Sequence, residues 1–355
     1  MKEEHKGGVS GRERLALTVT ALVPGVLGTL AVLAGSAGTL AWLAPVIALP
    51  VGLLLCRAWE DLGEKGLPLG LEGAFGRGPG KCLEALYLLW ALFLTVERAD
   101  GYARRLMTTT EGESVRWLYL GVGLALCLWL SRGGGAVLAR TGKLFFLAVT
   151  VVLALSLLLA LPGADWRNLW PPRTEDLPGL PMAAVTALSL SGYGVFALCL
   201  PGREEEGRPG VWTVWSCVVF SALVLAVVGA FGPALAARMK EPFLLLLQGV
   251  EVPGAFRRGE AALTAALALA DWALLALLTW GCGRLWSSLT GFVRGGGVLT
   301  AGAFLAGGLL PQWPELQRGM TEMVVWGNLI FGVGLPALGF LLKKGERGRK
   351  ERGKI

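Results

Sequence analysis

The amino-acid sequence predicts an all-α integral membrane protein of about ten transmembrane helices, arranged as a 5+5 inverted repeat with discontinuous first and sixth helices. Composition, the spacing of charged residues and two paired helix breaks carry that prediction. The 355 residues are 54% hydrophobic and only 17% charged, with a mean hydropathy of +0.59, whereas a soluble domain carries about 25% charged residues. A soluble core cannot hide so much apolar surface, so the bilayer is the solvent that the composition fits. The 52 glycines suit close packing of helices in lipid.

Charges punctuate the chain, and the gaps between them mark the spans. Residues 15–56 hold no charge over 42 positions. That run is about 63 Å of helix at 1.5 Å per residue, twice a hydrocarbon core of about 30 Å. The small-residue turn Gly35-Ser36-Ala37-Gly38 divides it into the first two helices. The third span, 83–102, is interrupted by Glu84, Glu97, Arg98 and Asp100, and the fourth, 117–131, is the shortest. The fifth to seventh follow at 144–164, 177–202 and 209–237. The eighth, 261–283, carries Asp271 near its middle, and 295–314 and 323–342 complete the set. Residues 233–248 are too polar to cross and read as an interfacial helix on the outer surface, broken by Pro242. The expected repeats are 15–161 and 183–342, within a single transmembrane domain, 1–355, that ends in a basic cytoplasmic tail, 343–355.

Lys and Arg set the orientation. With the N-terminus inside, 22 of the 33 fall in cytoplasmic segments and 11 in external ones, so both termini of this multi-pass cell-membrane protein are expected in the cytoplasm. The same bias explains the net charge of +7 and the pI near 9.3 without a nucleic-acid partner. The apolar run before Ala34-Gly-Ser-Ala37 is longer than a secretory h-region, so the first span is expected to be retained. The tail from Lys343 to Lys354 reads as a disordered topology anchor.

Several chemistries are excluded. The six cysteines (Cys56, Cys82, Cys127, Cys199, Cys217 and Cys282) lie in or beside apolar runs without a C-x-x-C pair, and read as free buried thiols. His5, the sole histidine, sits in a polar tail, which removes histidine metal sites, catalytic triads and histidine proton relays. No G-x-x-x-x-G-K-[ST] phosphate loop occurs. No enzyme activity, metal or cofactor is expected.

The candidate binding residues lie at the breaks and at the intramembrane charges. Pro24, Gly25 and Gly28 interrupt the first span, and Ser189, Ser191, Gly192, Tyr193 and Gly194 interrupt the sixth. Unwound backbone at membrane depth persists only where it lines a cavity or is buried in protein. The breaks are five spans apart, and an odd separation gives antiparallel helices, as an inverted repeat requires. The two stretches are expected to face each other across a cavity whose half-helix N–H groups suit a carboxylate. Asp271, about ten residues into its span, must face a cavity or a partner, because a carboxylate there costs about 2.5–3.5 kcal/mol. Nothing on its own helix reaches it, so its partner must come from another helix, from water or from a ligand, with unwound N–H groups of the first or sixth span the favoured candidates. Asp100 and Arg104 are spaced to pair at i, i+4, and Glu97 lies deeper, within reach of a central site.

The ten-span plan with broken first and sixth helices resembles the amino acid–polyamine–organocation transporters. More narrowly, the chain resembles the B subunit of spore germination receptors, the endospore germination permease family. Three stretches carry this: Gly232-Pro233-Ala-Leu-Ala-Ala-Arg238-Met-Lys-Glu241-Pro242 with the leucines that follow, Leu161-Pro162-Gly-Ala-Asp165-Trp-Arg-Asn168-Leu-Trp-Pro171, and Arg12-Glu-Arg14-Leu15 opening the first span. The chain departs from the family pattern at Thr108-Thr-Thr-Glu-Gly-Glu113, where a proline-containing turn is usual, and in the Ser-Gly-Tyr-Gly of the sixth span. The resemblance implies a receptor subunit of the spore inner membrane. That subunit binds a small-molecule germinant, commonly an amino acid, and works beside an A subunit and a lipoprotein C subunit. Two readings stay open next to it: a secondary transporter of amino acids or related cations, and a membrane scaffold with a degenerate pocket.

Overall fold

The computed structural model describes residues 9–64, 66–107, 114–200, 208–249, 259–292 and 295–352. The tail bearing His5, the turn 108–113 and the loop 201–207 lie outside the described residues. Every regular element among those described is helical.

Helix α1 (Gly11–Ala37) opens on a Ser10–Glu13 capping box, which satisfies N–H groups that the first turn leaves free. It ends where Gly38 takes a φ of 51°, a backbone region that glycine reaches without steric cost. The chain turns there into α2 (Ala44–Gly63), at the small-residue turn the sequence predicts. The carboxylate of Asp176 accepts from the Thr39 N–H at 2.8 Å and its hydroxyl at 2.7 Å, clasping this corner to a later loop. Pro24, Gly25 and Gly28 predict an interruption of this span, but α1 is one α-helix with Pro24 inside it. The proline removes the rung that would reach the Thr20 carbonyl, and the neighbouring rungs carry the helix through.

A short α3 (Leu67–Phe75) leads into α4 (Arg77–Met107), followed by α5 (Ser114–Arg132) and α6 (Gly135–Ala160). The sixth span is interrupted as expected. It comprises α7 (Leu180–Ser189), α8 (Ser191–Gly194) and a 3₁₀ stretch, Val195–Cys199. Then come α9 (Pro209–Phe231), α10 (Pro233–Ala236) and α11 (Pro242–Gln248). Residues 233–248 were expected as a helix lying on the outer surface. Instead, Phe243, Leu244, Leu246 and Leu247 are buried, and α11 packs on α9 and α12. Its leucines find protein to cover them and do not need lipid.

The last spans are α12 (Gly259–Thr290), α13 (Gly295–Leu309) and a composite of α14 (Pro314–Leu329), a π-turn at Ile330–Gly334 and α15 (Leu335–Arg352). The described residues contain eight helical stretches long and apolar enough to cross a membrane. One of these, Gly11–Gly63, holds both α1 and α2, and the 15-residue α13 completes the ten spans. The tail expected to be disordered continues α15 as helix to Arg352. At its start, the Lys343 ammonium donates to the Asp61 carbonyl at 2.7 Å and lies 3.3 Å from the Asp61 carboxylate, tying the tenth span to α2.

The third and eighth spans, α4 and α12, are the longest α-helices at 31 and 32 residues, and they pack most extensively on each other. They hold equivalent places in the two halves. The most apolar part of the eighth span is 72% and that of the sixth 78% buried, against less than half for the other six long apolar stretches. A helix apolar on all sides, as α12 is, belongs at a bundle centre. The cysteines form no disulfide, and Cys127, Cys199 and Cys282 are buried, but Cys82 is exposed, contrary to expectation.

Candidate functional site

The breaks of the first and sixth spans meet at Gly25, and beside that contact lies a cavity lined by Val23 and Val26 of the first span and by Ser191 and Gly194 of the sixth. A Cβ placed on Gly25 would lie 2.9 Å from Leu190 Cδ2 and 3.2 Å from Tyr193 Cε2, so the two helices touch at that glycine. Pro24 is buried beside it, whereas Gly28 is exposed and faces open space. Gly194 packs on Trp59 and Thr18, and Gly192 on Asn328 and Gly332 of the tenth span. Ser189 donates to the Thr186 carbonyl at 2.7 Å. The break itself is compact: the N–H groups of Leu190 and Tyr193 donate to Ala187 and Leu190 carbonyls at 3.4 and 3.2 Å. These tightened turns occupy two of the donors that were expected to be free for a carboxylate.

What converges here is a set of side chains. Tyr193 is 1% exposed, and the guanidinium carbon of Arg98, from α4, sits 5.0 Å from its ring centroid. Such a cation–π contact is worth about 2 kcal/mol when desolvated. Arg98 Nε lies 2.5 Å from Glu97 Oε2, yet neither atom has a partner in hydrogen-bond alignment. The Tyr193 hydroxyl and the Asn328 amide nitrogen are also buried with no well-aligned hydrogen bond, although the hydroxyl lies against the Asn328 and Arg98 side chains. Four polar atoms, from the third, sixth and tenth spans, therefore meet in one neighbourhood with one another, poorly aligned, as their partners. A buried polar cluster short of well-aligned hydrogen bonds marks a place suited to receive something polar.

The tenth span is shaped around the same place. Its π-turn frees the Phe331 and Gly332 carbonyls, which accept from Tyr87 Oη at 2.6 Å and Trp59 Nε1 at 3.0 Å. Trp90 donates to Asn328 Oδ1 at 3.2 Å and stacks on Phe331, with centroids 5.3 Å apart. π-turns recur at functional sites because they re-aim backbone groups out of the helix ladder. None of Tyr87, Trp59, Trp90 or Asn328 was singled out in the sequence. Asn328 carries the one usable signal, as an amide in an otherwise apolar span.

Asp271 points inward, with 2% exposure, as its cost in lipid requires. Its partner is a side chain and not the unwound backbone expected for it: the Arg105 guanidinium, from α4, forms a buried ion pair with it. Arg105 also reaches Glu241, Nε to Oε1 at 3.4 Å, within the loop that carries the most specific family stretch. Arg98 and Arg105 are seven residues apart, two helical turns, and so share one face of α4. That spacing was legible in the sequence. Asp100 pairs with Arg104 at 3.0 Å as expected, and also with Arg116 of α5 at 2.6 Å and Gln317 of α14 at 2.7 Å. Arg116 further donates to the Gly307 and Gly308 carbonyls at 3.0 and 3.2 Å. This second cluster is saturated, and it clamps the ends of four spans.

A cavity of about 630 Å³ lies to one side, between α1, α2, α6, α9 and the sixth span. Ser191, whose buried hydroxyl lacks a partner, and Gly194 line it. Among the described residues no group of acidic, cysteine or histidine side chains is placed to hold a metal.

Two of the stretches that carry the family resemblance touch each other. Asn168 Nδ2 and the Asp165 N–H both donate to the Gly229 carbonyl, at 2.8 and 3.0 Å, and Gly232 lies against Asn168. In sequence, residues 14–291 match the family described as spore germination protein. No curated protein matches the chain. Among solved structures, MhsT in complex with L-phenylalanine superposes at a TM-score of 0.67 and 13% identity, over 95% of this chain and 89% of that one. Mhp1, a nucleobase-cation-symport-1 family transporter in a closed conformation with bromovinylhydantoin bound, reaches 0.54 at 12% identity, over 95% and 75%. A mutant of the Eremococcus coleocola manganese transporter reaches 0.56 at 15% identity, over 96% and 77%. At such identities the likeness establishes the fold, that of transporters with inverted five-helix repeats. The family match spans most of the chain, and the protein belongs to the spore germination protein family, the spore permeases.

Proposed function

We propose that this protein is the membrane subunit of a spore germinant receptor and binds a zwitterionic amino acid between the third, sixth and tenth spans. The observation that carries the reading is the misaligned Glu97–Arg98 pair beside the poorly aligned Tyr193 hydroxyl and Asn328 amide. An amino acid offers each member of the pair a better-aligned counter-charge. Its carboxylate takes the Arg98 guanidinium, a charge-assisted contact about twice as strong as a neutral one, and its ammonium takes Glu97. Tyr193 and Asn328 donate to remaining oxygens, while Gly25 and Gly192 keep the first, sixth and tenth spans close enough to be moved together. Asp271 acts at one remove, by fixing Arg105 and so the face of α4 that presents Arg98.

Because Asn328 lies two residues before the π-turn, binding pulls on the tenth span, and α15 carries the movement to the basic tail. With both termini in the cytoplasm of a spore inner membrane, that tail and the loops on its side face an A subunit and a lipoprotein C subunit. The chemistry needs neither catalysis nor a cofactor. The repeats in this reading are 15–161 and 183–342.

Thermal shift of the purified chain tests the proposal. One or more of the common amino acids is expected to stabilise it, by about 2.7 kcal/mol at a hundredfold excess over Kd. The corresponding decarboxylated amine, and the variants Arg98→Gln and Glu97→Gln, should show no shift. Equal stabilisation by amine and amino acid, or an unchanged response in Arg98→Gln, refutes it. The transporter fold supports a second reading, a secondary transporter of the same solute, and accumulation of label inside proteoliposomes would distinguish it from a sensor.

A further inference from the structure

The 630 Å³ cavity has the size of a small-molecule site, but its wall does not suit a zwitterion. Toward mid-membrane it is lined by Val26, Leu153, Leu157, Phe220 and Leu223, while Phe146 and Trp212, near the starts of the fifth and seventh spans, line it toward the Arg14 end. The hydroxyls of Thr18, Thr20 and Thr213 donate to carbonyls of their own helices at 2.8–2.9 Å, which leaves their methyl groups to the cavity. Charge is confined to the end nearest the start of α1, where Arg14 lies with Glu60 and Glu64. From Arg14 to Val26, α1 rises about 18 Å, a little over half of a hydrocarbon core of about 30 Å, which is the depth of one leaflet. Ala154 and Trp215, both wall residues, are exposed, which suits entry from the side of the bundle.

We propose that this cavity holds an acyl chain of a zwitterionic phospholipid from the surrounding bilayer, with its phosphate at Arg14 and its ammonium at Glu60 and Glu64. The charge pattern selects the headgroup, since one cation flanked by two carboxylates matches a phosphoethanolamine and repels a purely anionic glycerol head. The apolar wall and its one-leaflet depth select the chain. The lipid has a structural consequence, because Trp59 is both a wall residue and the donor to the Gly332 carbonyl of the π-turn, and Gly194 packs on the same indole. A filled cavity thus braces the sixth and tenth spans against each other.

Native mass spectrometry of the delipidated full chain, re-exposed to phosphatidylethanolamine or phosphatidylglycerol of equal chain length, tests this. The expected result is one phosphatidylethanolamine retained at collision energies that strip the rest, with at least tenfold preference over phosphatidylglycerol. Ala154→Trp, at an exposed wall position that the fold tolerates, should abolish the retained molecule. Arg14→Gln should erase the headgroup preference, and Arg98→Gln should leave both unchanged, which separates this site from the amino-acid site. Equal retention of the two lipids by the unaltered chain, or retention undiminished in Ala154→Trp, overturns the proposal.

Discussion

Replacing Asp271 by leucine removes the buried counter-charge of Arg105, a guanidinium whose side chain is 5% exposed. Taking one partner from a buried ion pair costs about 3–5 kcal/mol, because the remaining charge is left in a low-dielectric setting. Glu241 lies 3.4 Å from Arg105 Nε but is 27% exposed, so its attraction is screened and recovers only part of the loss. At about 2 °C per kcal/mol for a chain of this length, Asp271→Leu should lower the midpoint of thermal unfolding in detergent by about 6–10 °C. The double variant Arg105→Met, Asp271→Leu should regain most of that loss, since apolar residues of similar volume often replace a buried pair at little cost. Glu241, at the rim, can turn to water. The assay is a double-mutant cycle read by heat-dependent loss of the monodisperse peak, and the coupling between the two positions should reach about 2–3 kcal/mol. A double variant no more stable than Asp271→Leu, or a single variant as stable as the original chain, would refute the ion pair as the reason Asp271 is tolerated.

Two further outcomes follow from the hydrogen bonds of the fourth and tenth spans. Arg116→Lys keeps the charge beside Asp100 but loses the planar fork whose separate nitrogens reach the Gly307 and Gly308 carbonyls as well, so it should destabilise the chain by about 1–3 kcal/mol. Thermal unfolding that matches the original would show those carbonyls to be satisfied in another way. Trp59→Phe removes the donor to Gly332, worth about 1 kcal/mol, and amide exchange over residues 330–334 should quicken while α12 keeps its protection. Unchanged exchange in the π-turn would mean that the indole does not hold it.

The sequence by itself determined the solvent, the number of spans and the place of most helix ends. Those follow from one-dimensional quantities: the length of uncharged runs against the bilayer thickness, and glycine at the positive-φ corner at Gly38. It also marked Asp271 as inward-facing, because the cost of a carboxylate in lipid does not depend on what the neighbour is. The tertiary structure decided the partners. Whether Asp271 meets backbone or Arg105 depends on the crossing of α4 and α12, which brings together residues 166 apart in the chain. Whether Pro24 and Gly25 open a cavity or a contact depends on how closely the sixth span docks, and Leu190 and Tyr193 close that gap. The π-turn at Ile330–Gly334 has no local signature, since its carbonyls are freed only because Tyr87 and Trp59, more than two hundred residues earlier, are there to receive them. Burial and length are written along the chain, but polar satisfaction is a property of packed helices.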